Sequence, residues 1–362
     1  MKRLAWIRTS PPDLPGSMAA YGDLVREATA ALAGAWSLTA CDCFDPRGGA
    51  SMWRHHLWRL RNVRRVLAEH PADLYHWLDG SMAAFIPSSL RARSLVTVHD
   101  LIPLLQLRGE LPDRPSLPAA GLIRRGIRVL RGCAGWCADS RATQADLARL
   151  AGIGAGVAVV PVALRPLPAP TLVSIPGLDP SARFILHVGN NAAYKNRVGA
   201  LDVFSRLADV PDLHLVLVGP PPTGALRAAA ARLPRAHFAG PVTDEQLNGL
   251  YRQAALFLFP SRYEGYGMPV LEAMAAGCPV VCSTAPSLVE VAGDAALFAP
   301  ASDPAALASQ CRALLADEAL RQEMTERGRA RAASFDVASM GRSLMKWYDQ
   351  AFAALEEKES HA

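Results

Sequence analysis

The stretch PSRYEGYGMPVLEAMAAGCPVVCS, residues 260–283, decides the fold. Ahead of it runs ALFLFP, an apolar run of strand length that ends at Pro260. Behind the loop, Pro269 suits the first turn of a helix, where a missing N–H costs nothing, and Gly277 suits a left-handed stop. A second apolar strand, PVVCS, follows at once, so the unit reads as strand, loop, helix, strand. That order places Gly265, Tyr266, Gly267 and Met268 at a helix N-terminus. Orphan N–H groups and the positive end of the helix dipole attract phosphate there, and glycine lets backbone approach it closely. Glu264 and Glu272, eight residues apart, flank the turn. Carboxylates accept hydrogen bonds from hydroxyls, so both suit a sugar joined to that phosphate. The plainer alternative makes Glu272 a partner of the helix dipole and Glu264 a solvated loop residue.

Working outward, RFILHVGN, LHLVLVG, HFAG and LFAP are further strands, separated by helices near 197–208, 223–233 and DEQLNGLYRQA. Helices are expected over about 304–316, 317–333 and 336–357. Upstream, prolines at 161, 166, 168, 170, 176 and 180 mark a linker. Before it LAWI, DLYHWL, SLVTVHD, WCADS and VAVVPV alternate with helical patterns. The predicted fold is therefore α/β, with two doubly wound, Rossmann-like parallel-sheet domains facing each other across a cleft. The expected divisions are 1–165, a linker over 166–182, a second parallel-sheet domain over 183–335, and a C-terminal helix over 336–362 packing back on the first domain.

The bulk composition agrees with two globular domains: 362 residues, 51% hydrophobic and 20% charged. Seven cysteines, none in a Cys-x2-Cys pair, argue against a zinc site or a disulfide framework and favour a reducing cytoplasm. The apolar run after Lys2 and Arg3 is too short for a signal peptide, and no stretch approaches the ~18 apolar residues of a membrane span. Net charge is +5 but uneven: 21 Lys/Arg against 13 Asp/Glu through residue 165, then 17 against 20. Two basic amphipathic helices, 51–70 and 121–132, account for much of the excess. Arg54, Arg59, Arg61, Arg64 and Arg65 interleave there with Trp53, Leu57, Trp58 and Leu60. They read either as a solvated face over packed Trp and Leu or as a contact with an anionic membrane surface; nucleic acid is not expected.

The opening stretch resembles the E-x7-E signature of the family 4 retaining nucleotide-sugar glycosyltransferases, which have the GT-B fold. SLVTVHDLIPL, WCADSRATQADL, LHVGNNAAYKN, LHLVLVG, HFAGPVTDEQLNGLYRQAALFLFPS and SLVEVAGDAALFAP follow the family's order over nearly the whole chain. The resemblance implies that Glu272 binds the donor ribose, Glu264 the transferred sugar, Gly267 and Met268 the diphosphate, and Lys195 the β-phosphate. It also implies that His99 borders the donor sugar, Gly16 lies near the phosphates and acceptor, Gly219 lines the cleft wall, and the segment Gly240 to Val242 holds the base. Two departures stand out. Asn190 occupies a position where relatives often carry arginine, which leaves Arg197 or Arg262 as a replacement cation. The first loop, RTSPPDLPGSMAAYG, lacks a double glycine.

The resemblance implies transfer of a hexose with retention, by front-face displacement; metal independence is expected because the chain has no Asp-x-Asp pair and the departing diphosphate has fixed donors. No resident cofactor is expected; the partners are a nucleotide-sugar donor and a glycan or lipid-linked acceptor in polysaccharide synthesis. HDLIPL, KN and EGYGMPVLEAM look most like mannosyltransferases, which makes GDP-mannose the donor of choice. A non-hydrolysing nucleotide-sugar epimerase and a noncatalytic donor-binding partner are the competing expectations.

Overall fold

The computed structural model describes residues 1–10, 17–47 and 52–361. The chain divides into two compact units, one of residues 1–110, 114–163 and 336–362, the other of 111–113 and 164–335.

The first unit is built on six parallel strands: β1 (Lys2–Arg8), β2 (Trp36–Asp42), β3 (Leu74–Trp77), β4 (Ser94–Val98), β5 (Gly135–Ala138) and β6 (Val157–Val159). Their order is β2-β1-β3-β4-β5-β6, and all pairs are parallel. Every residue of β3 and β4 is buried, which a strand achieves only with helices on both faces. Those helices are α1 (Ser17–Ala30), α2 (Met52–Glu69), α3 (Ile102–Arg108), α4 (Leu117–Leu130), α5 (Arg141–Asp146) and, numbered last in the chain, α13 (Val337–Ser360). Gly341 lets α13 lie directly on α1, because a Cβ there would stand 2.0 Å from the Ala28 carbonyl oxygen. Farther along α13, the Tyr348 hydroxyl accepts from the Trp6 indole at 3.2 Å and bonds His76 Nδ1 at 2.8 Å.

Arg59 departs from the basic face expected of α2. It is 1% exposed and its guanidinium donates to the carbonyls of Cys43 and Thr9. Burial pulls its pKa down to about 10 against the pull of the Asp79 and Cys43 groups. Trp58 is half-buried, and nothing is described of the Trp53 side chain.

The second unit carries β7 (Arg183–Val188), β8 (Leu213–Val218), β9 (Ala236–Gly240), β10 (Leu256–Phe259), β11 (Val280–Ser283) and β12 (Ala296–Ala299), again all parallel. Its helices are α6 (Arg197–Ser205), α7 (Gly224–Ala230), α8 (Asp244–Gln253), α9 (Met268–Ala276), α10 (Pro286–Ala292), α11 (Pro304–Ala316) and α12 (Glu318–Ala333). Strand side chains alternate between two cores. Phe184, Leu186, Val216, Phe257 and Phe259 face α8, α9 and α10, whereas Ile185, Leu215, Leu217, Leu256 and Leu258 face α6, α11 and α12.

The order β12-β11-β10-β7-β8-β9 matters most for function. The chain leaves β7 toward one edge, returns, and continues from β10 toward the other, so the topology reverses between β7 and β10. Open α/β sheets bind ligands outside the carboxyl ends of the strands at such a reversal.

The proline-rich stretch is not a free linker: it lies on the second unit. Ile175 is buried in that unit's core, Thr171 N donates to the Glu245 carbonyl at 3.0 Å, and Asn248 Nδ2 to the Pro168 carbonyl at 2.6 Å. Gly249 of α8 admits it, since a Cβ there would meet the Thr171 carbonyl oxygen at 2.0 Å. Among the described residues no helix is long and apolar enough to cross a membrane.

Candidate active site

Lys195 follows β7 and Glu264 follows β10, so the two sides of the topological reversal each contribute a charged group. The structure brings them together: Lys195 Nζ lies 2.9 and 2.8 Å from the two carboxylate oxygens of Glu264. Their side chains are 17% and 8% exposed, so the pair is largely withdrawn from water. The ammonium also lies over the rings of Tyr194 and Phe259, at 5.6 and 5.5 Å.

Local backbone explains how both are aimed. Asn196 takes the left-handed conformation, φ 55°, and its Nδ2 donates to the Pro260 carbonyl at 3.0 Å, tying the Lys195 loop to the end of β10. The Arg262 N–H donates to the Tyr194 carbonyl at 2.7 Å, a second tie. Ser287 Oγ donates to the Glu264 carbonyl at 2.7 Å, fixing the loop from α10.

Gly267 is the N-cap of α9, with φ 129° and ψ 39°, a conformation that favours glycine. A Cβ on it would stand 2.7 Å from Leu288 Cδ2. Met268 opens the helix, and Pro269 lies in its first turn. Gly267 itself has no side chain with which to cap this end. Gly265 and Tyr266 are buried, with the Tyr266 ring edge-on to Phe335 at 6.3 Å. Glu272 lies one turn inside α9, and its Oε2 accepts from the buried Tyr251 hydroxyl at 3.2 Å. Burial, with the Asp244 charge, pushes the Glu272 carboxyl above its ordinary pKa, while the Tyr251 hydrogen bond pulls it back.

Gly219 directly follows β8 with φ 142°, and a Cβ there would meet the Gly189 carbonyl oxygen at 2.1 Å. Its N–H donates to the Gly240 carbonyl, and the Gly189 N–H to the Val218 carbonyl, each at 3.1 Å, which carries the ladder past the strand ends. Val242 is half-buried against the core of this unit. Asn190 is exposed, and its Oδ1 accepts from the Ala192 N–H at 3.0 Å, closing a turn. Of the two candidate replacement cations, Arg197 is 4% exposed and donates to Asn191 Oδ1 and the Pro220 carbonyl, at 2.6 and 3.0 Å. Arg262 is exposed, and its guanidinium makes no ion pair among the described residues.

The first unit holds the remaining candidates. His99 directly follows β4, and its ring bonds the Asp139 carboxylate through Nδ1 at 2.6 Å and the Leu78 carbonyl through Nε2 at 2.8 Å. Burial lowers the His99 pKa, but the charge and hydrogen bond of Asp139, helped by Asp79 and the Leu78 carbonyl, outweigh it and carry the value to about 9. Gly16 lies outside the described residues.

Sequence reasoning missed Tyr251, Asn196, Ser287 and Asp139. Asn196 had a signal, because asparagine tolerates the left-handed conformation beside a lysine-bearing loop. Tyr251 had none, since GLYRQA marks it only as a buried helical position.

Comparison with known proteins then decides what this arrangement belongs to. Residues 171–331 match the family described as "Glycosyl transferases group 1". These residues form a glycosyl transferases group 1 domain. It contains Lys195, Gly219, Val242, Glu264, the α9 turn and Glu272. The whole chain has the GT-B fold. Sucrose-phosphate synthase from Thermosynechococcus elongatus superposes with a TM-score of 0.77 at 20% identity, over 98% of this chain and 100% of that one. WaaG, a glycosyltransferase involved in lipopolysaccharide biosynthesis, superposes with a TM-score of 0.71 at 18% identity, over 94% and 98%. Among curated proteins, O-antigen chain mannosyltransferase B of Escherichia coli is 47% identical over 98 residues, 27% of this chain and 26% of that protein. Phosphatidyl-myo-inositol mannosyltransferase of Mycobacterium leprae (strain TN) is 32% identical over 142 residues, 38% of each. The matched stretches thus span about a quarter to two fifths of these two relatives. None of these matches favours an epimerase or a noncatalytic partner.

Proposed function

We propose that the protein is a family 4 retaining glycosyltransferase that moves mannose from GDP-mannose to a glycan or lipid-linked glycan in polysaccharide synthesis. The observation that carries this reading is the pairing of Lys195 with Glu264 at the β7/β10 reversal, just ahead of the glycine that opens α9, inside a glycosyl transferases group 1 domain. The choice of mannose rests on the mannosyltransferases among the relatives.

In this reading the diphosphate rests on the N–H groups of Gly267 and Met268, and Lys195 turns from Glu264 toward the β-phosphate. Gly265 and Tyr266 supply the loop backbone, Gly219 and Asn190 line the phosphate side, Val242 and Gly240 border the base, and Glu272 accepts from the ribose hydroxyls. Glu264, freed in part, accepts from hydroxyls of the sugar. Negative charge that grows on the departing phosphate meets donors already in place, so bond breaking requires little reorganisation. The leaving oxygen takes the acceptor's proton as the new bond forms on the same face. Glu272 is engaged with ribose, which leaves only one carboxylate at the scissile bond and disfavours a glycosyl-enzyme intermediate. Gly16 is assigned to the donor, near the phosphates and the acceptor, with domains divided near 165 and 335.

The exposed face of α2, with Arg61, Arg64 and Arg65 around Leu57 and Leu60, 51% and 61% exposed, suits peripheral contact with the anionic inner face of a membrane. Co-sedimentation with phosphatidylglycerol vesicles at low salt is expected, and its absence would exclude that contact. The decisive assay incubates GDP-mannose with a mannose-terminated glycan and follows the anomeric proton by NMR. A new α-linkage and released GDP are expected; an inverted product, or donor turnover without an acceptor, would reject the assignment.

A further inference from the structure

The His99 ring is enclosed by acceptors. Nδ1 faces Asp139 Oδ2 at 2.6 Å, and Nε2 faces the Leu78 carbonyl oxygen at 2.8 Å. A neutral imidazole has one N–H and one lone pair. Either neutral tautomer would therefore set a nitrogen lone pair against an oxygen lone pair at hydrogen-bond distance. Only the imidazolium donates to both. The 2.6 Å contact also has the shortness of a charge-assisted bond.

The surroundings keep that charge in place. Asp139 is 3% exposed, and its second oxygen, Oδ1, is buried with no hydrogen-bond partner among the described residues, so the His99 ring faces a carboxylate withdrawn from water. Asp79, after β3, adds a favourable charge. Tyr21 of α1 meets the ring edge-on at 4.6 Å, and Thr143 of α5 donates to the His99 carbonyl at 3.2 Å, which pins the backbone beneath it. The other histidine facing this region, His76, is neutral: burial and the His99 charge pull its pKa down to about 3. Its ring nitrogens bond the Tyr348 hydroxyl at 2.8 Å and Thr97 Oγ1 at 2.7 Å, hydroxyls that can donate or accept, so a neutral ring is satisfied on both sides.

We infer that His99 serves at the carboxyl edge of the first sheet as a fixed imidazolium rather than as a base, and that Asp139 is the positioning residue that holds it so. The part of this that concerns sugar transfer rests on the function proposed above; the protonation state does not. A ring with both N–H groups committed to its own chain neither takes up nor releases a proton during turnover. That agrees with a transfer in which the leaving phosphate receives the acceptor's proton.

Long-range 1H–15N spectra of the full-length protein test the inference, with the His99 signals assigned by their loss in His99→Gln. In the wild type both ring nitrogens should stay protonated from pH 6 to 8. In Asp139→Asn the ring should titrate near neutrality, whereas Asp139→Glu should restore the charged form. The pH profile of transfer should be level from pH 6.5 to 8.5 in the wild type and fall on the order of tenfold over that range in Asp139→Asn. A neutral His99 in the wild type at pH 7.5 would overturn the inference, and that spectrum decides it even if Asp139→Asn fails to fold. An imidazolium that persists to pH 8 in a folded Asp139→Asn would overturn the role of Asp139. Lack of transferase activity alongside a charged His99 would count against the proposed function and leave this inference standing.

Discussion

Separating Lys195 from Glu264 should change stability and ligand affinity in different ways for the two residues. At 2.8 to 2.9 Å, two unit charges attract by about 6 kcal/mol at an effective dielectric of about 20, and the desolvation of both groups opposes most of that. The informative quantity is what remains when one partner goes. Lys195→Met leaves a carboxylate only 8% exposed with no cation beside it, which should cost about 3–5 kcal/mol. Glu264→Gln leaves an amide oxygen that still accepts from the ammonium, and the Tyr194 and Phe259 rings still face it, so the loss should be about 1–2 kcal/mol. The double variant removes the stranded charge and should lie close to Glu264→Gln, which gives a coupling of about 3–5 kcal/mol. Differential scanning calorimetry reads this as a Tm drop of roughly 10 °C for Lys195→Met, about half that or less for the other two. Calorimetric titration with GDP supplies the second sign. Glu264 competes with phosphate for one ammonium, so Glu264→Gln should bind GDP as tightly as the wild type or several-fold tighter, whereas Lys195→Met should bind it more weakly. Additive stability losses, or weaker GDP binding in Glu264→Gln, would refute the reasoning.

Other expectations follow from the same geometry. Glu272→Ala should weaken GDP binding by about 1.5–3 kcal/mol, and Tyr251→Phe by about 1 kcal/mol through the lost hydrogen bond to Glu272, both read by calorimetry with little change in turnover at saturating donor. Gly219→Ala should be among the most damaging single changes in the second unit, because its Cβ would be driven to 2.1 Å from a main-chain oxygen; loss of soluble folded protein checks it. Stability should fall on the alkaline side: His99 has a folded pKa near 9 against an ordinary value of about 6.5, so its contribution, about 3 kcal/mol, is whole below pH 6.5 and is lost as pH rises through 9. Urea titrations at pH 6, 8 and 10 should show that decline in the wild type and far less of it in Asp139→Asn.

Much of the second unit was legible because its strands are short, continuous apolar runs and its helix ends carry their own chemistry. ALFLFP, Pro269 and Gly277 fixed strand, first turn and stop within a residue or so of where they occur. What could not be read was anything that depends on pairing at a distance. The strand order, and with it the meeting of Lys195 and Glu264, arises from contacts across 69 residues that no local pattern encodes. β2 escaped notice because WSLTACD lies at the sheet edge and alternates burial irregularly. Arg59 looked like one more arginine of a basic face, since periodicity does not show which charge has two carbonyls waiting for it. The prolines announced irregular backbone correctly, but composition does not say whether such backbone hangs free or lies on α8, and here Gly249 decides. In the first unit, His99 was legible as a strand-end residue, while its partner Asp139, 40 residues on, was not.

The most direct test of the central claim is a crystal structure of the protein soaked with GDP. The account predicts diphosphate oxygens within hydrogen-bond distance of the Gly267 and Met268 N–H groups, Lys195 Nζ moved from Glu264 onto phosphate, and Glu272 on the ribose. A nucleotide bound at another place, with the Lys195–Glu264 pair intact, would contradict it.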